Sequence, residues 1–205
     1  MLDLTAPNII LNPLQPYLHI GPRKTPKKYT QLELDWYDSQ DLSVKEIGKH
    51  AKIWNDVADG QGFINSNYGY LIYSNENFNQ FEHAVEELRN HPHSRRALMI
   101  YTRPSMWEEY NKDGMSDFIC TNNVQYVIRN NMLHSIVQMR SNDFIFGFFN
   151  DFFWQATVQQ RLLERLQISY PDLQMGKMHW QAGSLHIYER HFDLLKGMVD
   201  WYTKP

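Results

Sequence analysis

The clearest hydrophobic pattern in the chain follows Ser74, where Phe78, Phe81, Ala84, Val85 and Leu88 recur at three- and four-residue steps. That spacing gathers them on one stripe of a helix, and Asn90, His91 and Pro92 stop it, because proline cannot continue a helix and restricts the residue before it. A second helical stretch is YTQLELDWY, Tyr29 to Tyr37, with Leu32 and Trp36, and Glu33 and Tyr37, four residues apart after a candidate cap at Thr30. The segment from Gly147 to Leu166 is dense in phenylalanine, tryptophan, leucine and valine and long enough for a mostly buried helix; a closing helix is expected from about His191 to Trp201. Between them, ALMIYT (Ala97 to Thr102) reads as a buried strand and Thr102 to Gly114 as a polar loop. VQYVIR and LHSIVQMR, joined around Asn130 and Asn131, read as a β-hairpin, and SLHIYE (Ser184 to Glu189) as a further strand. Residues 1–29 hold five of the nine prolines and the basic string Arg23 to Lys28, which predicts an extended arm with one short strand at Tyr17 to Ile20.

No repeat, low-complexity tract or linker divides the 205 residues, so the pattern predicts one α+β domain over residues 1–205, with helices around a sheet. The elements alternate too irregularly for a doubly wound parallel sheet. Composition narrows the function more than the fold. With 42% apolar and 21% charged residues the chain is globular, and 20 − 23 gives a net charge of −3, which argues against nucleic acid as a direct partner. No apolar run reaches the roughly 18 residues of a membrane span, and MLDLTAPNII lacks the basic-then-apolar order of a secretory leader, so no membrane partner and a cytoplasmic location are expected. A single cysteine, Cys120, leaves no intrachain disulfide and no cysteine-rich metal site, and no metal is expected.

The signatures of P-loop, Rossmann, nucleophile-elbow and zinc-protease enzymes are missing. What stands out instead is a set of polar residues in apolar or strand-like surroundings, where a polar group is costly unless paired: Cys120 in DFICTNN, Arg140, Ser141 and Asp143 in MRSND, and Asp151 in FFNDFF. Cys120 is either a small core residue or a nucleophile whose pKa a neighbouring cation lowers. Arg140 followed by Ser141 at a strand end suits a bidentate phosphate contact plus a hydroxyl donor, with a strand-end ion pair as the alternative. Arg95 and Arg96, adjacent in extended backbone, point to opposite faces; they form a solvated loop end or serve a neighbouring subunit. Asp151 among Phe148, Phe149, Phe152 and Phe153 should be protonated, paired or engaged with a ligand unless it caps a helix. Glu33 reads on spacing alone as a solvated helix carboxylate, and His186 and Tyr188, alternating on one strand face, as core residues or as ligands of a small hydroxylated molecule.

The blocks ELDWY (Glu33 to Tyr37), IWNDVADGQGFINSNYG (Ile53 to Gly69), SRRALMIYTRPSM (Ser94 to Met106), the long string from Tyr110 to Tyr126, QMRSNDFIFGFFNDFFWQ (Gln138 to Gln155) and GSLHIYERHF (Gly183 to Phe192) resemble, in order, the thymidylate synthase superfamily, and within it the phage deoxycytidylate (dCMP) hydroxymethylases. The resemblance runs from about Glu33 to about Leu195. It implies a mixed sheet flanked by helices and a homodimer packed through the sheets. It implies Cys120 as the nucleophile that adds to C6 of a pyrimidine, Glu33 as the residue that organises water and protons near the base, and 5,10-methylenetetrahydrofolate as the one-carbon donor. Phosphate would be held by Arg140 and Ser141 of one subunit and by Arg95 and Arg96 of the other. His186 and Tyr188 would hold the sugar hydroxyl, Trp54, Asp143 and Gly147 the folate, while Asn122 and Gln125 would support the base and the thiolate loop.

Asp151 stands where the synthases have asparagine, and a carboxyl sharing one proton complements the N4 amino group and N3 of cytosine rather than O4 and N3–H of uracil. The resemblance therefore points to dCMP as substrate and hydroxymethylation as the reaction. Departures from the synthase pattern are Thr121, where synthases have histidine after the nucleophile, a shorter C-terminal segment, and no clean counterpart of the N-terminal phosphate-loop cation, for which Arg23 or a lysine of RKTPKK is a substitute. The competing readings are a synthase-type methyltransferase acting on dUMP or dCMP and a nucleotide-binding scaffold without turnover.

Overall fold

A computed structural model describes residues 1–203. Asn130 and Asn131 both adopt positive φ (51° and 57°), the conformation a two-residue hairpin turn requires and asparagine tolerates, and they join β6 (Thr121–Arg129) to β7 (Met132–Asp143). This hairpin is the centre of a six-stranded sheet. β5 (Leu98–Ile100) pairs with β6, and β8 (Gln174–Ile187) pairs with β7. The N-terminal arm supplies β1 (Leu2–Thr5) and β2 (Asn8–Leu11), both antiparallel to β8. Only β7 and β8 are parallel, and such a pair needs a long crossover. That crossover is α6 (Gly147–Gln167), whose apolar side chains from Phe148 to Leu166 are buried.

The remaining helices are α1 (Lys27–Ser39), α2 (Lys52–Val57), α3 (Tyr68–Tyr73), α4 (Gln80–Asn90), α5 (Met106–Glu109) and α7 (Phe192–Thr203). One face of the sheet carries Val124, Tyr126, Val137, Met139, Met178 and Trp180, all buried in the same core as α3, α4 and α6. Alternate residues face the other way, and Gln125, Val127, His134, Ile136, His179 and Gln181 are left at least partly exposed.

Several expectations are corrected. Thr30 is not a cap; Pro26 holds the cap position, and Thr30 lies inside α1, bonding back to the Lys27 carbonyl at 3.1 Å. The helix after Ser74 starts only at Gln80, capped by Asn79, and Phe78 sits in the preceding turn at φ 63°, 77% exposed rather than in the stripe. β5 is a short edge strand, not a buried one: Met99 points inward while Leu98 and Ile100 are exposed. The expected loop after Thr102 contains α5 and a 3-10 turn at Lys112–Gly114. α3 and the first ten residues of β8 were not legible. In β8 the signal is broken by Gly176 and Gly183, whose added Cβ atoms would fall 2.6 Å from the Leu133 carbonyl and 2.8 Å from the Arg140 carbonyl. Those glycines are required by close strand approach, not by a turn. Of the arm, only His19–Ile20 (β3) and Arg23–Lys24 (β4) form the short ribbon, around Gly21, and α7 packs against β3 through Trp201 stacked on His19.

Candidate active site

The ends of β6 and β7 nearest α6 bring the polar residues together. Cys120 immediately precedes β6, and the Arg140 amide bonds to the Cys120 carbonyl at 2.7 Å, fixing the two residues side by side. The Arg140 guanidinium then turns back over the loop: Nη2 donates to Phe118 O at 2.8 Å and approaches Cys120 Sγ at 3.5 Å, while the guanidinium carbon lies 4.9 Å from the centre of the Phe118 ring. Arg140 is therefore inside β7, three residues before its end, not at the strand terminus. Burial pushes the Cys120 thiol up to about 11, against the pull of Arg140, and the nearby Asp151 and Asp117 carboxylates push the same way as burial. Asp117 is itself clamped, accepting from the Asn65 and Ser66 amides at 2.7 Å each and from Ser66 Oγ at 2.6 Å, which pins the Cys120 loop to the segment leading into α3.

Glu33 on α1 is buried, not solvated. Trp54 Nε1 donates to the Tyr29 hydroxyl at 2.9 Å, and that hydroxyl donates to Glu33 Oε1 at 2.7 Å. Desolvation raises the Glu33 carboxyl to about 8, with the Tyr29 bond opposing and the Asp151 charge adding. Asp151 is the fifth residue of α6 and caps nothing. It is half-buried, and desolvation with the Asp143 charge raises it to about 7, while a hydrogen bond from Asn142 Nδ2 to Oδ2 at 2.7 Å works the other way. Two carboxyl groups that titrate near neutrality and a thiol beside a guanidinium form one electrostatic unit, the arrangement of a site that moves protons.

The parallel β7–β8 register sets Ser141 opposite Ser184 and Asp143 opposite His186. His186 is buried and its ring meets Tyr188 edge-on at 5.0 Å. Asp143 Oδ1 accepts from the Ile145 amide at 3.0 Å, and Gly147 opens α6 with its Cα beside Asn142 and Asp151; a Cβ there would lie 3.4 Å from Asn142 Nδ2 and 3.5 Å from Asp151 Oδ2.

Not every expected residue joins the group. Gln125 lies on the open sheet face and donates to the Arg95 carbonyl at 2.7 Å, away from the thiolate loop. Asn122 meets the neighbouring segment through its carbonyl, which accepts from Tyr101 N at 3.0 Å. Arg96 is bound to Glu87 at 2.9 Å, and among the described residues neither it nor Arg95 bonds to Arg140, Ser141 or Cys120. Two residues escaped the sequence: Tyr29, whose four-residue spacing from Glu33 was a usable signal, and Asn142, which sits between two singled-out residues and carried none.

Arg23 reaches this region from β4. Its side chain is buried, with Nη2 lacking a hydrogen-bond partner among the described residues, and it lies over the Phe146 and Phe149 rings at 4.9 and 4.7 Å, within the field of Asp143. An open donor beside a carboxylate and two rings fits a flat heterocycle with a carbonyl edge. Two surface depressions, of about 390 and 370 Å³, lie elsewhere, on the open sheet face around His134 and His179 and at the hairpin tip around Asn130. Among the described residues no acid, histidine or cysteine group could hold a metal ion.

Comparison with known proteins places this geometry. The thymidylate synthase family model matches residues 17–204. The chain is 52% identical over 171 residues to the deoxycytidylate 5-hydroxymethyltransferase of Enterobacteria phage T6, covering 82% of this chain and 70% of that protein. The protein of the same name from Enterobacteria phage T4 is 51% identical over the same shares. A thymidylate synthase of Bacillus subtilis subsp. natto is 29% identical over 165 residues, 78% of this chain and 54% of that one.

Proposed function

The chain belongs to the thymidylate synthase family, and from that membership we propose that it is a one-carbon transferase, a deoxycytidylate 5-hydroxymethyltransferase. It converts dCMP, 5,10-methylenetetrahydrofolate and water to 5-hydroxymethyl-dCMP and tetrahydrofolate. The name of its relatives at 51–52% identity supports the reaction. The observation that carries the choice of base is Asp151: a half-buried carboxyl raised to about 7, able to accept from the N4 amino group and share a proton with N3.

The residues divide the work. Cys120 Sγ adds to C6 of the ring, and the electron pair so released makes C5 a nucleophile. Arg140 stabilises the thiolate that this step requires and, with Ser141, binds the phosphate. His186 and Tyr188 take the sugar hydroxyl. Trp54, Asp143 and Gly147, with the open donor of Arg23, hold the folate, which supplies a one-carbon unit at the oxidation level of formaldehyde. Once the one-carbon unit has passed to C5 with release of the folate amine and loss of the C5 proton, Glu33, held by Tyr29, takes a proton from the water that adds to that carbon, and expulsion of the Cys120 thiolate restores the C5–C6 double bond. Burial on both carboxyl groups keeps their pKa values near the working pH, which general acid–base transfer needs.

The working form is a homodimer packed through the open sheet faces. A lone chain offers Cys120 only one guanidinium, too little to bring its thiol down from about 11. Arg95 and Arg96 of the partner subunit, added at the phosphate, supply the missing positive charge. No described helix is long and apolar enough to cross a membrane, and a phage-type enzyme of nucleotide metabolism works in the host cytoplasm.

The test is mass spectrometry of products from dCMP and from dUMP. A gain of about 30 Da on dCMP is expected; about 14 Da would identify the synthase-type methyltransferase, by atom counting after a shared one-carbon transfer. With 5-fluoro-dCMP and the folate, a covalent adduct should form that Cys120→Ser lacks; no adduct would identify a scaffold.

A further inference from the structure

Asn142 is buried, and its side-chain Nδ2 donates to Asp151 Oδ2 at 2.7 Å, while its own Oδ1 is buried with no hydrogen-bond partner among the described residues. Nothing in the catalytic sequence above uses it. We propose that Asn142 is a positioning residue that makes the two oxygens of Asp151 unequal, fixing Oδ2 as the acceptor and Oδ1 as the proton carrier, and so sets the preference for a 4-amino over a 4-oxo pyrimidine. The inference rests on the base-recognition role given to Asp151.

A carboxyl group has two chemically equivalent oxygens, and its proton can sit on either. An amide N–H pointed at Oδ2 breaks that equivalence: a proton on Oδ2 would face the Asn142 N–H, so the proton is held on Oδ1. The pair Oδ2 acceptor and Oδ1–H donor matches the N4–H donor and N3 acceptor of cytosine. Uracil needs the reverse, a donor toward O4 and an acceptor toward N3–H. Reversal would require the Asn142 amide to turn and present Oδ1 to an Oδ2–H group. Asp143, whose charge bears on Asp151, acts through its field and not through a hydrogen bond among the described residues, so it does not distinguish the two oxygens. Glu33 carries no such bond to Asp151 either.

The test measures equilibrium binding of dCMP and dUMP, by calorimetry from pH 5.5 to 8.5, to the wild type, Asn142→Leu, which has no amide, and Asn142→Ser, which restores a donor on a shorter arm. Loss of a hydrogen bond to a buried ionisable group predicts that Asn142→Leu narrows the dCMP preference about tenfold or more. The pH midpoint of dCMP binding should also move upward, since the amide favours the ionised carboxyl. Asn142→Ser should recover part of both. A folding defect would weaken both nucleotides alike and shift no midpoint. An unchanged dCMP-to-dUMP ratio with an unchanged midpoint overturns the inference, as does a wild type that binds the two nucleotides equally. If the wild type prefers dCMP and Asn142→Leu does not, but no product with the expected mass gain forms, the hydroxymethyl reading fails while this inference stands.

Discussion

The Arg140 guanidinium lies 3.5 Å from the Cys120 sulfur while the same nitrogen holds the Phe118 carbonyl at 2.8 Å. One side chain thus shapes the Cys120 loop and sets a positive charge beside the thiol. Its replacement separates the two duties. Arg140→Lys keeps a charge but loses the fork that reaches carbonyl and sulfur together, and Arg140→Gln loses the charge. Alkylation of Cys120 by iodoacetamide at pH 7.5 should slow about tenfold or more in Arg140→Gln, by the loss of a cation beside the thiolate. An alkylation rate equal to that of the wild type would show that Arg140 does not govern the thiol.

Asp151→Asn should move base preference from dCMP toward dUMP. The mismatch of one buried polar group costs about 1–3 kcal/mol, a ten- to hundredfold change in relative kcat/KM. Steady-state kinetics with both nucleotides checks it, and unchanged selectivity would refute it.

The buried acids make stability depend on pH in a definite direction. Glu33 is raised to about 8, so between its unfolded value near 4.3 and about 8 the folded chain holds a proton that the unfolded chain has lost. Stability therefore falls as pH rises through that window, by up to about 1.4 kcal/mol per unit. Urea unfolding of Glu33→Gln should show a shallower decline between pH 5 and 8 than the wild type; parallel curves would mean that the carboxyl is not protonated in the folded state.

Tyr29→Phe removes the hydroxyl that links Trp54 to Glu33. Because that bond opposes the rise of the Glu33 pKa, the limb of the kcat profile that reports Glu33 should move to higher pH, with kcat at pH 7 down about tenfold, the low end of what one proton-transfer group contributes. A pH profile superimposable on the wild type would remove Tyr29 from the proton route.

Subunit complementation tests the shared site. Arg95→Ala/Arg96→Ala and Cys120→Ser proteins, each inactive, should regain about a quarter of wild-type activity when mixed in equal amounts and exchanged, because half the dimers then hold one intact site of two. Mixing without recovery would place both arginines outside the active site.

Where local pattern and burial agreed, the sequence was a good guide. The β6–β7 hairpin followed from its β-branched runs and paired asparagines, and α6 from a near-continuous apolar stretch. It misled where tertiary contact overrode the local signal. Phe78 fitted a helical stripe but left it for an exposed turn, Thr30 looked like a cap but lies inside α1, and β8 was hidden by glycines that serve close strand approach. At the site, Cys120, Arg140 and Asp151 were visible as polar residues in apolar strings. The relation of Gln125 to Arg95, and of Asn142 at the end of β7 to Asp151 in α6, was not, because contacts between different elements leave no fixed spacing in the chain.

By itself the sequence determined which chemical groups this protein has: one thiol, a carboxyl among aromatic rings, and ordered blocks that mark its family. Only the tertiary structure decided the ionisation tendency of those groups and which of them share a field. A pKa depends on water excluded by residues distant in the chain, as burial of Glu33 and Asp151 shows, and on the direction from which a single hydrogen bond arrives, as at Asn142.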